Sequence, residues 1–553
     1  MEKRLLLAFV LSAVIFALWS VLFPPERPTP PVNGTPIVEE GPRPQTRQEA
    51  KEPIPSTAAA EETTDTAVSS EAISGEIEEV LHFVNDVMSV DVSTRGAAIT
   101  SMQLTDYTED NGDPLELVQA VDHPDRTLPL QLVTTDGADQ RLYAVERAGN
   151  GVILRWSDGL GNAVEKTIRL PDSGYGVEVS MDLGGAMRSA KLSVGSGLRN
   201  LSEVEQNNRL AVWGDVVVLA DGEYEVVKQR KAKQPQVMVP QVTTYAGFQD
   251  TYFLSLFRPT TRIDGLEVNV LQFVVPAEDG KSEERRILQL LLDPAEGLIE
   301  GQLLGAPKEY DLLQQIDGGV ERTLNFGIFG PISVIFLKAL RWIYGVVGNY
   351  GVAIILLTVA IRILLFPLMH TSTVSMRRMQ KLQPKVKEIQ GQYKKKKADP
   401  QARAKMNQEM MALYKQEGVN PMGGCLPMLV QLPILWALYK LFMVAIELRH
   451  APFFGWIQDL SAKDPYYITP ILMTATMWLQ QKLAPQVGDP QQQRMMRMLP
   501  FVFGFMFLNF PSGLVLYWLT NNVLTIVQQE VTFRLLGERK GGGSTGKGGG
   551  KKK

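Results

Sequence analysis

The stretch GNYGVAIILLTVAIRILLFPLMH, residues 348–370, decides how this chain folds. Residues 350–369 are apolar or small except for Thr358 and Arg362. A helix of about 20 such residues is long enough to cross the ~30 Å hydrocarbon layer of a membrane. The sequence therefore predicts a transmembrane helix over residues 349–370.

Arg362 is the unusual residue of this segment. It lies about seven residues, or ~10 Å of helix rise, from the end that leads into a basic stretch. Arginine keeps its charge at this depth, and Thr358, one turn earlier, shares its face. Either this face lines a water-filled cavity, or Arg362 extends to the cytoplasmic headgroups. The segment alone leaves both interpretations open.

The bulk composition hides strong local biases. Hydrophobic residues make up 45% of the 553 residues and charged residues 21%, but both are concentrated in blocks. The net charge of −4 conceals an acidic N-terminal half and a basic C-terminal third. The single cysteine, Cys425, excludes an intramolecular disulfide, and the four histidines lack metal-ligand spacing. We therefore expect no metal and no cofactor.

The N-terminal region predicts an anchor followed by a tether. Residues 1–23 carry Lys3 and Arg4 before an apolar run too long for a typical signal peptide. This pattern predicts an uncleaved transmembrane anchor with a cytoplasmic N-terminus. Residues 24–75 are rich in Pro, Glu, Thr, Ser and Ala, which predicts a disordered periplasmic linker.

Residues 76–325 change to a period of two, with stretches such as VEKTIRLPD and YGVEVSMDL separated by turn residues. This pattern predicts a large periplasmic β-sandwich. Helical patterns are limited to residues 282–297 and 307–315. The region has no GxSxG motif and no grouped acidic or histidine residues, so the sequence favours a structural or binding role over an enzyme.

Residues 326–348 are apolar but interrupted by Lys338 and Arg341. This pattern predicts an amphipathic helix lying on the outer membrane surface.

Residues 371–420 predict a cytoplasmic helical hairpin with a basic outer face. Asp399 suits the N-cap of the second arm, and Pro384 should bend the first. The apolar stripes expected to join the two arms are Met376, Met379, Leu382, Val386, Ile389 and Tyr393, and Met406, Met410 and Leu413.

The remaining sequence predicts four further crossings. These are residues 421–446, 466–483, 499–511 and 512–532, joined by a periplasmic loop at 447–465 and a cytoplasmic loop at 484–498. Residues 533–553 form a basic cytoplasmic tail. The fold class is thus a multi-domain α-helical membrane protein with six transmembrane helices, made of a five-helix core and the N-terminal anchor. Both termini are expected in the cytoplasm.

The five C-terminal spans contain no Asp or Glu in their apolar interiors. This absence disfavours proton relays and ion-coupled transporters, and it excludes an intramembrane aspartyl protease. The last span instead carries Tyr517, Asn521, Thr525 and Gln528 on one face, with Thr525 near the depth of Arg362. Further candidates are polar or flexible side chains on the other spans: Gln431, Gln481, Met428, Met443, Met473, Met477, Phe505 and Met506.

Ordinary hydrogen bonds between helices, with methionine as filler, would explain any one of these residues. Arg362 changes the joint interpretation, because water and uncharged polar groups are its available solvent. We therefore predict a hydrated groove, open to the cytoplasm and walled by methionine and aromatic side chains.

Five stretches resemble the YidC/Oxa/Alb family of membrane-protein insertases, in its Gram-negative form with a large periplasmic domain. They are LRWIYGVVGNYGVAIILLTVAIRILLFPL, LQPKVKEIQ, QEMMALYKQEGVNPMGGCLPMLVQLPI, DLSAKDPYYITPILM and FPSGLVLYWLTNNVLTIVQQ, and they are distributed over residues 340–529. The resemblance implies a periplasmic β-supersandwich, a five-helix insertase core with a groove, and a location in the bacterial inner membrane.

The resemblance also implies residue roles and partners. The groove arginine matches Arg362, the threonine before it matches Thr358, and the aromatic pair of the last span matches Tyr517 and Trp518. Where some relatives have two tyrosines, Trp518 keeps the ring but lacks the hydroxyl. The implied partners are nascent membrane proteins, lipid, the Sec translocon, and the ribosome through the basic hairpin and tail.

We therefore expect an insertase and chaperone that inserts inner-membrane proteins and helps them fold, alone or with the Sec translocon, and not an enzyme. One alternative is a membrane-anchored periplasmic binding or scaffold protein. Another is a small-solute channel, which is disfavoured because only one ionisable residue lies deep in the spans.

Overall fold

The computed structural model describes residues 71–202, 205–206, 211–276, 282–393, 399–419, 426–483 and 490–535. The predicted anchor, nearly all of the predicted linker, Cys425 and the tail after residue 535 lie outside these ranges. Within them, a sheet-rich part precedes a helical part, which confirms the predicted order of the two.

The sheet-rich part contains β1–β20 among its described residues. In chain order they are Ala72–Ile73, Val80–Val84, Met88–Ser93, Ala98–Thr108, Pro114–Glu116, Leu132–Thr134, Gly137–Ala138, Ala144–Ala148, Gly151–Asp158, Ala163–Arg169, Gly176–Gly184, Lys191–Ser196, Asp215–Ala220, Glu223–Val227, Gln236–Met238, Thr243–Gln249, Phe253–Pro259, Ile263–Pro276, Ser282–Pro294 and Leu298–Pro307.

These strands form three antiparallel sheets whose inner faces share one core. The ten-stranded sheet runs β1-β9-β10-β11-β20-β17-β16-β13-β14, with β8 beside β9. The six-stranded sheet runs β15-β18-β19-β12-β6-β7, and the four-stranded sheet runs β2-β3-β4-β5. Gly195 of β12 has a φ of +132°, a conformation that favours glycine, and it lies next to Phe248 of the facing sheet. In β10, Val164 and Ile168 point into this core while Glu165 and Arg169 are exposed, as the period of two requires.

Of the two helices predicted in this region, the first prediction is wrong. Residues 282–294 form β19, which pairs with β18 and places Val268 opposite Leu290. Because β19 lies between β18 and β12, its run from Ile287 to Leu292 is buried on both faces and shows little alternation. The second expected helix is confirmed as α1, Tyr310–Gln315.

The helical part follows in chain order. Its helices in the described residues are α2 (Gly330–Val347), α3 (Tyr350–Lys381), α4 (Gln383–Gln392), α5 (Pro400–Gln416), α6 (Leu426–Val444), α7 (Ile468–Leu483), α8 (Pro490–Phe507) and α9 (Ser512–Leu535).

Two of these helices, α2 and α3, are long and apolar enough to cross a membrane. Two shorter apolar helical segments lie at Leu429–Val444 and Met495–Phe507. The predicted placement of α2 on the membrane surface therefore remains a prediction, since its length also suits a crossing.

Helix boundaries differ from the expected ones in two places. Helix α3 continues past His370 to Lys381, and α4 begins after a short break with Pro384 in its first turn. Helix α8 begins at Pro490, within the loop expected at 484–498, because proline suits the first turn of a helix. The first turns of α8 are polar, so the hydropathy of the sequence predicted a loop there instead of the start of a helix.

The helical part packs onto the outer face of the ten-stranded sheet. Leu254 and Leu256 of β17 belong to the same buried cluster as Leu337 of α2, Ile354 of α3 and Val515 of α9. Helix α9 packs between α3 and α7, and α2 contacts α3 and α6. This arrangement brings one face of α9 against the segment that carries Arg362.

Candidate functional site

The N-terminal end of α3 is fixed by its cap. The Asn349 side chain accepts a hydrogen bond from the Val352 amide at 3.0 Å and donates to the carbonyl oxygens of Pro452 and Phe453. The Phe453 ring occupies the space where a side chain on Gly351 would lie. This tight contact sets the position of α3 along its axis, and hence the depth of Arg362.

Arg362 is buried, with 9% of its surface exposed, and is held by α9. Its Nε donates to Asn521 Oδ1 at 2.8 Å, and its Nη2 donates to the Asn521 carbonyl oxygen at 3.2 Å. Nη2 also donates to Thr525 Oγ1, whose hydroxyl donates in turn to the Asn521 carbonyl oxygen. All of these partners are uncharged, as the sequence predicts.

Arg362 makes no ion pair with an acidic residue in the part of the chain that the structure describes. These hydrogen bonds also leave its Nη1 unused. The guanidinium is tied to the neighbouring helix at its own depth, which favours the groove interpretation over an arginine that extends to the headgroups.

Thr358 is buried, but its hydroxyl donates to the Ile354 carbonyl oxygen of its own helix at 2.7 Å. The structure therefore places Thr358 one turn from Arg362 without a hydrogen bond between them.

Tyr517 and Gln431 connect α9 to α6. Gln431 Nε2 donates to the Tyr517 hydroxyl at 2.9 Å, and Tyr517 is 2% exposed. Gln431 Oε1 is buried and has no hydrogen-bond partner among the described residues. Because Tyr517 lies one turn before Asn521, the pair extends the polar face that begins at Arg362.

Trp518 points to a different neighbour. Its ring lies 5.1 Å from that of Phe507 and 6.1 Å from that of Phe503, both on α8. Because the Trp518 ring packs against aromatic rings, a tyrosine hydroxyl is not needed at this position for a hydrogen bond. Met473 of α7 is fully buried in the same apolar cluster.

Two predicted residues are not brought to Arg362. Met506 is 46% exposed on α8 and lies outside the buried cluster. The Gln481 side-chain amide donates to the Met496 carbonyl oxygen and so joins α7 to α8.

The structure adds a polar contact that sequence analysis missed. Thr532 is fully buried, and its hydroxyl lies 3.3 Å from His370 Nδ1. Thr532 continues the face of Thr525 and Gln528 at helical spacing, so the same periodicity argument would have found it. The polar contacts between α3 and α9 thus extend well beyond Arg362 toward the hairpin.

Family models match both parts of the chain. The model described as YidC periplasmic domain matches residues 80–339, and the model described as 60Kd inner membrane protein matches residues 342–539.

Curated relatives carry one printed name, membrane protein insertase YidC. The protein from Geobacter metallireducens is 35% identical and covers 96% of this chain and 98% of its own length. The protein from Geobacter sulfurreducens is 39% identical over 80% of this chain and 83% of its own length. A solved structure of an active YidC insertase covers 84% of this chain and 94% of its own, with 18% identity and a TM-score of 0.36. The length and identity of the match to the curated relatives show that the chain belongs to the YidC family of membrane-protein insertases.

Proposed function

We propose that this protein inserts membrane proteins through a groove between α3, α6 and α9. We call it the Arg362 groove and define it by Arg362, Asn521, Thr525, Tyr517 and Gln431. The observation that carries the proposal is a buried arginine whose partners are an amide, a carbonyl oxygen and a hydroxyl. The site performs insertion and no covalent chemistry, in keeping with an insertase rather than an enzyme.

The groove lowers the barrier to moving a polar flank of the substrate across the membrane. The unused Nη1 of Arg362 offers a charge-assisted hydrogen bond to an acidic or polar residue of the incoming segment. Around it, Asn521, Thr525 and Tyr517 supply hydrogen bonds that hydrocarbon cannot supply. The flank therefore meets donors and acceptors in a layer where it would otherwise lose its hydration.

The apolar part of the substrate then leaves along the aromatic and methionine side chains. Trp518 and Phe507 form one such wall, and Met473 is buried in the apolar cluster that contains Phe507. Transfer of the segment into lipid is favourable by ~0.8 kcal/mol for each buried CH₂ group. This free energy drives insertion without a nucleotide.

The proposed topology has six crossings with both termini in the cytoplasm. The sandwich then lies in the periplasm of a bacterial inner-membrane protein, and α2 lies along the outer surface. Lys and Arg residues of the hairpin and tail fall on the cytoplasmic side under this topology, which agrees with their usual distribution.

The hairpin and tail are proposed to contact the ribosome, and the core to work with the Sec translocon as well as alone. Contacts between the two hairpin helices support a stable arm: Tyr393 donates to Glu409 at 2.7 Å, and Lys385 pairs with Glu417 at 2.6 Å. Met379 and Leu382 are buried in the cluster at its base. Such an arm presents its remaining basic residues outward, where they attract the phosphates of RNA.

The test uses purified protein in liposomes and a single-span substrate with an acidic flank. Protease protection reports insertion for the wild type, Arg362→Ala and Arg362→Lys. We expect Arg362→Ala to lose most insertion while remaining folded, and Arg362→Lys to retain part of it because the charge is kept.

Arg262→Ala is the matched control, because Arg262 is an exposed sandwich residue that pairs with Asp264, two residues away. Equal insertion by the wild type and Arg362→Ala would refute the role of the charge. Removing about residues 77–270 should leave insertion intact, whereas loss of insertion would favour a function located in the sandwich.

A further inference from the structure

One segment of the sandwich combines basic and apolar residues without any acidic residue. It is KQRKAKQPQVMVPQV, residues 228–242, which runs from β14 to β16 of the ten-stranded sheet and includes β15 of the six-stranded sheet. We call it the basic segment. Its four cations contrast with the acidic character of the N-terminal half of the chain.

Most of the basic segment is exposed, whereas Ala232 is buried and Met238 packs against the sandwich core. Lys228, Arg230, Lys231 and Lys233 are all exposed, although Arg230 also stacks on Trp213 at 3.8 Å. The apolar residues that follow are also exposed to solvent: Val237, Val239 and Val242 are 70%, 79% and 65% exposed. Three largely exposed valines within six residues form an apolar surface patch, and such patches often mark a site of interaction with a membrane or another molecule.

The form of the patch argues against the addition of a partner strand. Strand β15 spans only Gln236–Met238 and is bounded by Pro235 and Pro240. A short edge strand with prolines at both ends is a poor template for strand pairing. Lysines beside exposed aliphatic residues are instead the composition of a segment that lies in a membrane interface.

Contacts place the basic segment beside the helical part. Tyr224 of β14, the strand that leads into the segment, packs against the buried cluster that contains Leu337 of α2 and Leu441 of α6. The hairpin that precedes the segment is tied to the same region, because Arg322 donates to the Gly222 carbonyl oxygen at 3.2 Å.

We propose that the basic segment binds anionic phospholipid of the outer leaflet. Lys228, Lys231 and Lys233 meet the phosphates, and the exposed valines enter the boundary between headgroups and acyl chains. Four acidic residues lie nearby: Asp215 is buried, Glu223 and Glu225 are exposed on β14, and Asp221 accepts hydrogen bonds from the Gln241 and Val242 amides, at the other end of the segment from the lysines. Each lysine near an anionic surface strengthens binding of the segment to that surface roughly fivefold. This contact would hold the sandwich against the membrane independently of the Arg362 groove.

The experiment places a fluorophore on the basic segment of the full-length protein. Gln234→Cys, in a background with Cys425→Ser, provides an exposed attachment point that removes neither a charge nor a valine. The labelled protein is reconstituted into nanodiscs of phosphatidylcholine with or without phosphatidylglycerol, each with a quencher on the lipid headgroup. We expect quenching that increases with phosphatidylglycerol, decreases in high salt and is largely lost in the triple variant Lys228→Gln, Lys231→Gln, Lys233→Gln.

A double variant on the same sandwich is the matched control. Arg147→Gln with Arg169→Gln removes exposed cations from β8 and β10 and should leave the quenching unchanged. Quenching that is absent, or equal in the triple variant, overturns the proposal. Shielding of the label that requires a second reconstituted membrane protein would also overturn it, and would identify the patch as a protein interface.

Discussion

Arg362 of α3 and Asn521 of α9 are joined twice, through the side-chain oxygen of Asn521 at 2.8 Å and through its carbonyl oxygen at 3.2 Å. A single residue thus orients the guanidinium with both an amide and the backbone of a neighbouring helix. Neither contact neutralises the charge. The arrangement holds a cation in place while keeping it available, which is what a site for a transient acidic or polar flank requires.

The variant Asn521→Asp should distinguish the effect of the orientation of Arg362 from the effect of its uncompensated charge. The new carboxylate would keep the geometry and pair with Arg362, so we expect melting temperature to be maintained or raised. Insertion of a substrate with an acidic flank should fall because the positive charge is now compensated. Protease protection in liposomes and thermal unfolding in detergent measure the two effects.

Asn522→Asp supplies the control for that variant. Asn522 is adjacent in sequence and buried, but its amide donates to Thr476 of α7 at 3.4 Å rather than contacting Arg362. We expect it to lower stability without the selective effect on acidic flanks. If Asn521→Asp inserts acidic and neutral flanks as well as the wild type does, the available charge of Arg362 is not what drives insertion.

The sequence was sufficient to place the partners of Arg362. The spacing of Tyr517, Asn521 and Thr525 fixed one face of the last helix, and counting along two antiparallel helices matched Thr525 to the depth of Arg362. Helical periodicity is reliable here because both segments are long and regular. The structure then showed hydrogen bonds from Arg362 to Asn521 and Thr525.

Periodicity could not supply what depends on neighbours. It does not decide whether a hydroxyl bonds within its own helix, as that of Thr358 does. It does not show that Met506 faces outward, because either face of α8 could meet α7. It also failed for β19, where burial on both faces removes the alternation that identifies a strand.

The bond between Gln431 and Tyr517 should stabilise the contact of α6 with α9. Tyr517→Phe removes the hydroxyl that accepts from Gln431, whose amide then has no partner in a buried position. We expect a loss of about 1–3 kcal/mol in the free energy of unfolding. Thermal and denaturant unfolding of the purified protein measure this loss.

A double-mutant cycle checks that the loss arises from this pair. Gln431→Leu with Tyr517→Phe removes both polar groups, so the combined loss should be smaller than the sum of the single losses. Strictly additive losses would mean that the two residues act independently.

Lys166 should make the stability of the sandwich depend on pH. Its ammonium is fully buried and donates to the carbonyl oxygens of Gly96, Ala97 and Leu130. Burial lowers the pKa of Lys166 to about 7, with partial compensation by the charge of Asp139. The unfolded chain therefore binds more protons between pH 7 and the ordinary lysine pKa of about 10.5, and stability should rise with pH across that window. The rise is on the order of a few kcal/mol, measured by denaturant unfolding followed through tryptophan fluorescence.

Lys166→Met tests whether Lys166 causes this pH dependence. Because methionine does not titrate, the free energy of unfolding of the variant should change less with pH. Part of the slope should persist, because burial also lowers the pKa of Lys308, to about 8. The same slope in Lys166→Met and the wild type would assign the pH dependence to other groups. The variant should also be less stable at high pH, because the buried carbonyl oxygens lose the two N–H groups that the neutral amine donates.

The ion pairs of Arg341 on α2 should be the main polar contacts that join α2 to the sandwich and to the loop after α6. It contacts Asp311 at 2.5 Å and Glu309 at 3.3 Å, and it also pairs with Glu447. Arg341→Gln would leave three carboxylates close together, two of them partly buried, and we expect a loss of about 2–4 kcal/mol in the free energy of unfolding. Burial raises the pKa of Glu309, so protonation should relieve the repulsion first at this residue as pH falls. Unfolding at pH 7 and pH 5 should therefore show a smaller difference from the wild type at pH 5. A difference that is unchanged or larger at pH 5 would mean that packing of the arginine, and not its charge, holds the three elements together.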